Sequence, residues 1–225
     1  MPPIETLVVA THNRAKAREM AQILGARFPT LKLPTLADFP GAPEPEESGA
    51  TYADNARIKS ESAASFTGMW SLADDAGLEV DALEGEPGLH SKRFGGVELP
   101  FPEKIARLLD LMREVPEESR AARFRCLVAL SAPPGKRFQD VGSASFPEEH
   151  GASAGTVLFE GVCEGRIALS PRGSGGFGYD PVFFLPEHGK TMADLTAEEK
   201  HRVSHRGKVL RKLCDWMIAA GLAPS

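Results

Sequence analysis

The order of strand and helix patterns along the chain is the feature that most restricts the fold. Residues 6–10 (TLVVA) form an apolar, β-branched run that predicts a buried strand. Residues 16–24 then carry apolar side chains at helical spacing, and Gly25 closes the predicted helix. Residues 51–66 predict a second helix, and residues 71–75 predict a second strand that ends in two acids. Strand and helix patterns therefore alternate in the first third of the chain.

Consecutive strand patterns follow in the middle of the chain. Strands are predicted over residues 123–131, 138–146 and 156–167, between an amphipathic helix over residues 103–115 and a final helix over residues 204–220. Because helices and strands interleave at both ends with consecutive strands between them, the sequence predicts an α/β fold with a mixed sheet rather than a purely parallel one.

Composition excludes several classes of protein. The net charge is −5, with 26 Lys and Arg against 31 Asp and Glu, which gives no general electrostatic reason to bind nucleic acid. No apolar stretch approaches the roughly 20 residues of a membrane span, and the first residues lack a signal peptide's basic region. We therefore expect a cytoplasmic protein without nucleic-acid or membrane partners. The cysteines, Cys126, Cys163 and Cys214, form no CxxC pair, and we interpret them as buried packing thiols.

Several familiar motifs occur in incomplete form. Residues 173–178 read GxGxxG but lack the flanking strand and helix of a dinucleotide-binding turn, so we interpret them as a glycine turn or a substrate loop. Residues 189–191 resemble the end of a Walker A motif without its first glycine. The GxSxG at residues 151–155 precedes a strand instead of a helix. His201 and His205 have the spacing of metal-binding histidines but no obvious third ligand.

Polar residues at the ends of predicted elements form a more consistent pattern. The turn at residues 11–16 offers a hydroxyl, an amide and an ammonium group ahead of free helix amides, which suits phosphate oxygens or simply caps a helix. Asp74 and Asp75 end a predicted strand, where carboxylates either form a polar turn or favour a hard ion such as Mg²⁺. Alternation along the strand points these two side chains to opposite faces.

Two further groups belong to this pattern. Glu47 precedes the second helix, in which Asn55 and Lys59 share a face because they are four residues apart. Residues 200–206 supply hydrogen-bond donors near the start of the last helix. Lysines for phosphates, carboxylates for a metal, and aromatic groups for a planar ring together favour a nucleoside triphosphate as the ligand.

The chain also contains six blocks: THNRAK, SGATYADNARIK, LADDAGLEVDALEGEPGLHSKRFGG, FRCLVAL, GSGGFGYDPVFF and EEKHRVSHRGK. In this order and spacing they resemble the noncanonical purine nucleoside triphosphate pyrophosphatases, also called inosine triphosphate pyrophosphatases. The resemblance implies one two-lobed domain over residues 1–225, with an elongated mixed sheet, flanking helices and an active site in the cleft between the lobes. It also implies a homodimer and Mg²⁺-dependent hydrolysis of ITP, dITP or XTP to the monophosphate and pyrophosphate.

The same resemblance implies roles for individual residues. Asp75 would be the catalytic residue, binding Mg²⁺ or taking the proton of the attacking water, with Glu47 and Asp74 on the metal side. Lys59 would help to bind the triphosphate, which would be held by the turn of Thr11, His12, Asn13, Arg14, Ala15 and Lys16. The nucleoside pocket would be formed by Phe177, Gly178, Tyr179, Asp180, Lys200, His205 and Arg206.

The chain departs from the family pattern in places that leave the proposed chemistry unchanged, and two functional alternatives stay open beside the implied one. Ala76 stands where the family usually has a serine, so only its backbone amide could contact the substrate, and residues 141–162 are longer than the usual hairpin. A pyrophosphatase for modified pyrimidine nucleotides would use the same phosphate chemistry on other bases. A non-catalytic nucleotide-binding regulator would bind without turnover, which the presence of Asp75 and Lys16 opposes.

Overall fold

The structure, a computed structural model, describes residues 2–138 and 155–224. Within these ranges one sheet contains six strands in chain order: β1 (Leu7–Val9), β2 (Trp70–Val80), β3 (Ala121–Ser131), β4 (Thr156–Ile167), β5 (Phe183–Leu185) and β6 (Lys190–Thr191). The α-helices of the same ranges are α1 (Arg14–Arg27), α2 (Tyr52–Thr67), α3 (Phe101–Leu111), α4 (Ala197–Val203) and α5 (His205–Ala219).

Strand directions confirm the predicted mixed sheet. β1 runs parallel to β2, with Leu7 opposite Trp70 and Val9 opposite Leu72. β5 pairs antiparallel with both β4 and β6. Parallel pairing of β1 with β2 requires a long connection, and α1 and α2 both lie in that connection.

The chain divides into two compact units. The first unit contains Met1–Asp75, Cys126–Gly161 and Arg206–Ser225, and the second contains Ala76–Arg125 and Val162–His205. A buried cluster in the first unit includes Val8 and Ala73. In the second unit, the core includes Leu78, Leu108 and Phe183.

The second strand is longer than the sequence indicated, which corrects the position of the paired acids. β2 extends from Trp70 to Val80, so Asp74 and Asp75 lie within the strand and not at its end. The alternating apolar side chains of Leu78 and Val80 are fully buried, and their burial continues the strand beyond the acids.

The first helix also differs from its predicted bounds. α1 begins at Arg14 because Asn13 caps it, accepting hydrogen bonds from the backbone amides of Ala15 and Lys16. Gly25 lies inside the helix, which continues to Arg27, so its prediction as the closing residue is wrong. The expectation of free amides in this turn is wrong for Ala15 and Lys16, because the cap uses both.

The other elements follow the sequence more closely. β4 has the predicted bounds, and α2 begins one residue after its capping residue Thr51. α3 begins and ends earlier than predicted, at Phe101 and Leu111. α5 ends before Gly221, whose φ of 67° is the left-handed conformation typical of a helix terminus.

A short helix was missed by sequence reasoning. α4 (Ala197–Val203) begins after Thr196, whose side chain accepts a hydrogen bond from the backbone amide of Glu199. Glu199 completes a capping box, and this Thr-x-x-Glu pattern was a readable signal for a helix start.

Some predictions fall outside the described residues. The strand over residues 138–146, the long hairpin over residues 141–162 and the GxSxG of residues 151–155 lie largely or partly in the undescribed range 139–154. The three cysteines are buried and are not in disulfides, which confirms their interpretation as packing thiols. Among the described helices, none combines the length and the apolar character that a membrane span needs.

Candidate active site

Asp74 is a buried carboxylate of the first unit that contacts two cations. Its side chain is fully buried on β2, and Lys16 Nζ lies 3.2 Å from Oδ1. Arg206 donates to Oδ2 twice, from Nη2 at 2.7 Å and from Nε at 3.2 Å. Burial alone would raise the pKa of Asp74, but the charges of Lys16, Arg206 and Lys59 hold this pKa far below its usual range. Asp74 is therefore an anion that binds and positions cations.

Arg206 has a second carboxylate partner that the sequence did not indicate. Its Nη1 donates to Glu19 Oε2 at 2.6 Å, and its side chain is only 2% exposed. Burial alone would lower the pKa of Arg206, but the charges of Asp74 and Glu19 raise it. The predicted substrate-binding guanidinium thus lies between two acids. Glu19 follows Lys16 by three residues on α1, and this spacing was the available signal for a shared face.

Asp75 has a different set of partners. Lys59 Nζ lies 3.0 Å from Asp75 Oδ1 and 2.9 Å from Glu47 Oε1, so one ammonium group joins the two predicted metal ligands. Burial raises the pKa of Asp75, and the nearby charges of Lys59 and Lys16 offset only part of this effect. Burial alone would lower the pKa of Lys59, but its acidic neighbours raise it.

The shared face predicted for Asn55 and Lys59 on α2 is confirmed. Both side chains reach Asp75, and Asn55 Nδ2 donates to Asp75 Oδ2 at 3.3 Å. Asn55 also accepts a hydrogen bond from the backbone amide of Gly49 at 2.8 Å. These contacts connect the segment that contains Glu47 to the carboxylate on β2.

The turn before α1 keeps its polar groups near Lys16. The backbone amide of Asn13 donates to Thr11 Oγ1 at 3.1 Å, while Asn13 Oδ1 caps the helix. His12, Asn13 and Arg14 are exposed to solvent, whereas Thr11, Ala15 and Lys16 are partly buried. The structure therefore places Lys16 beside Asp74 and leaves His12, Asn13 and Arg14 at the surface.

In the second unit, Asp180 organises the glycine-rich loop. Its Oδ2 accepts from the backbone amide of Phe177 at 2.7 Å and from Lys200 Nζ at 2.6 Å. Lys200 Nζ also lies 4.6 Å from the centre of the Phe177 ring. A Cβ on Gly176 would lie 2.0 Å from Asp180 Oδ2, and Gly176 has a φ of 71°. Glycine at this position leaves the space that the Asp180 carboxylate occupies.

Tyr179 supports this loop from within the core. The ring is buried edge-on against Phe101, and the hydroxyl donates to the backbone oxygen of Ser91 at 3.1 Å. Burial raises the pKa of Tyr179. Gly178 precedes Tyr179 with a φ of 67°. The predicted pocket residue Tyr179 thus has its hydroxyl bonded to the loop that contains Ser91.

The remaining predicted residues, Ala76 and His205, belong to the second unit. His205 is buried in the second unit, where its ring stacks on Phe124 with the ring centres 4.8 Å apart. Ala76 follows Asp75 on β2 and is partly buried. Across the described residues, no three His, Cys, Asp or Glu side chains form a group arranged to bind a metal, so His201 and His205 are not part of such a group.

Comparison with known proteins agrees with these features over nearly the full chain. The profile of the Ham1 family matches residues 7–216. A dITP/XTP pyrophosphatase of Geobacter sulfurreducens is 47% identical over 217 residues, covering 96% of this chain and 98% of the relative.

Two solved structures have a similar fold. A HAM1 protein from Coxiella burnetii has a TM-score of 0.79 and 35% identity, covering 96% of this chain and 100% of that one. A nucleoside-triphosphatase / dITP/XTP pyrophosphatase from Mycobacterium abscessus has a TM-score of 0.67 and 36% identity, covering 92% and 98%. The profile match, the sequence identity and the fold agree with the six sequence blocks, and this chain belongs to the Ham1 family.

Proposed function

We propose that this chain hydrolyses noncanonical purine nucleoside triphosphates, namely dITP, XTP and ITP, to the monophosphate and pyrophosphate. One observation in the structure carries this proposal: lysines from two helices, Lys16 and Lys59, meet adjacent carboxylates on β2. Ammonium groups beside a carboxylate can bind a polyphosphate and activate water in one place. The dITP/XTP pyrophosphatase of Geobacter sulfurreducens, 47% identical to this chain, supports the same substrate class.

The reaction is an in-line attack of water on the α-phosphorus. The water oxygen forms a bond to phosphorus as the bond to the bridging oxygen of the β-phosphate breaks, and pyrophosphate leaves with that oxygen and its electron pair. The proton of the water passes to the carboxylate of Asp75. Lys16 and Lys59 neutralise the negative charge that develops on the pyrophosphate.

The surroundings of Asp75 suit a general base. Burial raises its pKa, which strengthens it as a proton acceptor, while Lys59 keeps the charged form accessible. Asp74 differs because the cations around it hold its pKa far below the usual range. The two adjacent acids can therefore have different roles: Asp75 accepts the proton and Asp74 positions Lys16.

The donor set fits a magnesium ion. Asp75 and Glu47 would hold it, since their carboxylate oxygens already meet at one cation, the ammonium group of Lys59, at 3.0 and 2.9 Å. Mg²⁺ prefers such hard oxygen donors and commonly takes one or two carboxylates together with substrate phosphates. When bound, the ion would supply charge neutralisation at the phosphate oxygens.

Base selection is proposed to involve the second unit. Phe177 and Tyr179 supply aromatic groups, and Lys200 supplies a donor that Asp180 holds at 2.6 Å. A donor can bind the 6-oxo group of hypoxanthine or xanthine, whereas the 6-amino group of adenine would face donor against donor. Such an unpaired buried polar group costs roughly 1 to 3 kcal/mol. Magnesium dependence, a homodimer, a cytoplasmic location and the absence of nucleic-acid and membrane partners stay predictions.

The test separates products across a panel of nucleotides. Purified protein is incubated with ITP, dITP, XTP, GTP, ATP and dUTP, with and without Mg²⁺, and the products are resolved by ion-exchange chromatography. We expect monophosphate and pyrophosphate from dITP, ITP and XTP, little product from ATP, and loss of turnover without the metal. Diphosphate and phosphate as products would contradict the reaction type. Preference for dUTP would indicate a pyrimidine pyrophosphatase. Binding of a nucleotide without turnover would indicate a regulator.

A further inference from the structure

We infer that Asn55 is a positioning residue for the reaction, fixing the orientation of the Asp75 carboxylate; this inference rests on the proposed function. Asn55 is 2% exposed and lies on α2, one helical turn before Lys59. It does not need to touch the substrate to act, because it acts through Asp75.

Two donors hold the two oxygens of Asp75 separately. Asn55 Nδ2 donates to Oδ2 at 3.3 Å, and Lys59 Nζ donates to Oδ1 at 3.0 Å. A carboxylate held at one oxygen can rotate about its last side-chain bond, which has a broad energy profile. With both oxygens held from one helix face, the plane of the carboxylate is defined, and so is the direction from which it accepts a proton.

The orientation of the Asn55 amide is itself determined by a third group. The backbone amide of Gly49 donates at 2.8 Å to the side chain of Asn55, and only the amide oxygen can accept this bond. The nitrogen must therefore face Asp75. Because Asn55 is buried, water does not readily replace either bond when one is lost.

Gly49 can make this contact because it has no side chain. A Cβ at this position would lie 2.5 Å from Asp54 Cβ and 2.7 Å from Asn55 Oδ1. Two residues earlier, Glu47 contacts Lys59 at 2.9 Å. The segment before α2 is thus attached at two points to the helix face that holds Asp75, and Asn55 forms one of these attachments.

The experiment compares Asn55→Asp and Asn55→Ala with a matched control, Ser60→Ala. Asn55→Asp keeps an oxygen that accepts from the Gly49 amide but replaces the nitrogen that donates to Asp75 with a second oxygen. Asn55→Ala removes both groups. Ser60 is also a buried polar residue of α2, but its hydroxyl pairs with Ser131 at 2.7 Å. Turnover of dITP is divided by the number of sites that bind a non-hydrolysable α,β-imido analogue of ITP, so unfolded protein is not counted.

We expect both Asn55 variants to lower kcat per binding site about 10- to 100-fold, with KM changed less than about 3-fold. Ser60→Ala should stay within about 3-fold of the parent in both constants. A kcat per site near that of the parent in both Asn55 variants would overturn the inference. An equal loss in Ser60→Ala would do the same, because the effect would then be a general loss of buried hydrogen bonds.

A crystal structure of Asn55→Ala separates this inference from the proposed function. We expect the Asp75 carboxylate to rotate or to occupy more than one conformer, while the backbone of β2 stays in place. An unchanged Asp75 side chain overturns the positioning role even if the parent hydrolyses dITP. A displaced Asp75 in a protein without pyrophosphatase activity supports the positioning role and overturns the proposed function.

Discussion

Arg206 donates two hydrogen bonds to a single oxygen of Asp74, from Nη2 at 2.7 Å and from Nε at 3.2 Å. Together with the contact to Glu19, this pairing commits the guanidinium to carboxylates inside the first unit. The other Asp74 oxygen contacts Lys16 at 3.2 Å, so Arg206 and Lys16 share one anion. Substitution of Arg206 should therefore alter the position of Lys16 and lower the stability of the fold.

Replacement of Arg206 by methionine should reduce stability strongly. It leaves Asp74 and Glu19 without their shared cation, and breaking a buried ion pair costs about 3 to 5 kcal/mol. Guanidinium chloride unfolding of the parent and of Arg206→Met measures this difference. The control is Arg27→Met, since Arg27 contacts Asp215 only at the surface, 3.5 Å away. The free energy of unfolding of Arg27→Met should differ from that of the parent by less than about 1 kcal/mol. A stable Arg206→Met protein with weak nucleotide binding would contradict this expectation and indicate a direct substrate contact.

The stability of the protein should depend on acid through Asp74. Its pKa is lowered in the folded state, so the stabilisation it contributes is present above the ordinary pKa of 3.8 and is lost as the pH falls below that value. Asp74→Asn removes this contribution, which makes the variant less stable at pH 7 and less sensitive to acid. Thermal unfolding of both proteins between pH 2 and pH 5 measures the two slopes. Parallel slopes would show that Asp74 does not contribute to the acid response.

Replacement of Asp75 by asparagine should abolish turnover and leave binding largely intact. The amide cannot accept the proton of the attacking water, but Lys16 and Lys59 remain available for the phosphates. We expect kcat to fall by at least about 100-fold, as is usual when a general base is removed. Calorimetry with an α,β-imido analogue of ITP measures binding separately. Turnover close to that of the parent would remove Asp75 from the proposed role.

Alanine at Gly176 should disturb the loop that contains Phe177. The new Cβ would lie 2.0 Å from Asp180 Oδ2, and the φ of 71° is unfavourable for any residue with a Cβ. Displacement of Asp180 releases Lys200, so we expect a higher KM for dITP and weaker discrimination against ATP. Gly189→Ala is a suitable control, because its φ of 62° is similar while no atom lies within 4 Å of its Cβ. Equal effects of the two substitutions would attribute the change to backbone strain alone.

The three thiols should be unreactive in the folded protein. Cys126, Cys163 and Cys214 are buried, and burial raises the pKa of Cys126 and that of Cys214, the latter to about 11. Thiolate is the reactive form, so both accessibility and ionisation oppose modification. Titration with Ellman's reagent should detect almost no thiol in the native protein and all three after denaturation. Rapid reaction of one native thiol would contradict the burial of the three cysteines.

Parts of the site could be predicted from sequence because they depend on local spacing. Asn55 and Lys59 are four residues apart on a helix, and this alone placed them on one face, where both contact Asp75. The alternative that the turn at residues 11–16 caps a helix is confirmed at Asn13, since Asn before a helix is a typical capping residue.

Other parts could not be predicted, because they depend on packing between distant segments. Arg206 reaches Asp74 across 132 positions of the chain, and no local pattern indicates which of two neighbouring acids it contacts. The predicted strand over residues 71–75 is shorter than β2, because burial of Leu78 and Val80 extends the strand beyond the acids to Val80. The hydroxyl of Tyr179 bonds to Ser91, a contact that only the folded second unit establishes.

The pairing of β1 with β2 has a consequence for how the gene can change. Val9 lies opposite Leu72, two residues before Asp74, so this alignment determines which carboxylate meets Arg206 and which meets Lys59. Deletion or insertion of a single codon between Leu72 and Asp74 would turn each acid to the opposite side of the strand, because neighbouring strand residues point to opposite sides. The protein would keep every functional side chain and lose its chemistry, so length variation among homologues should be absent from this short interval.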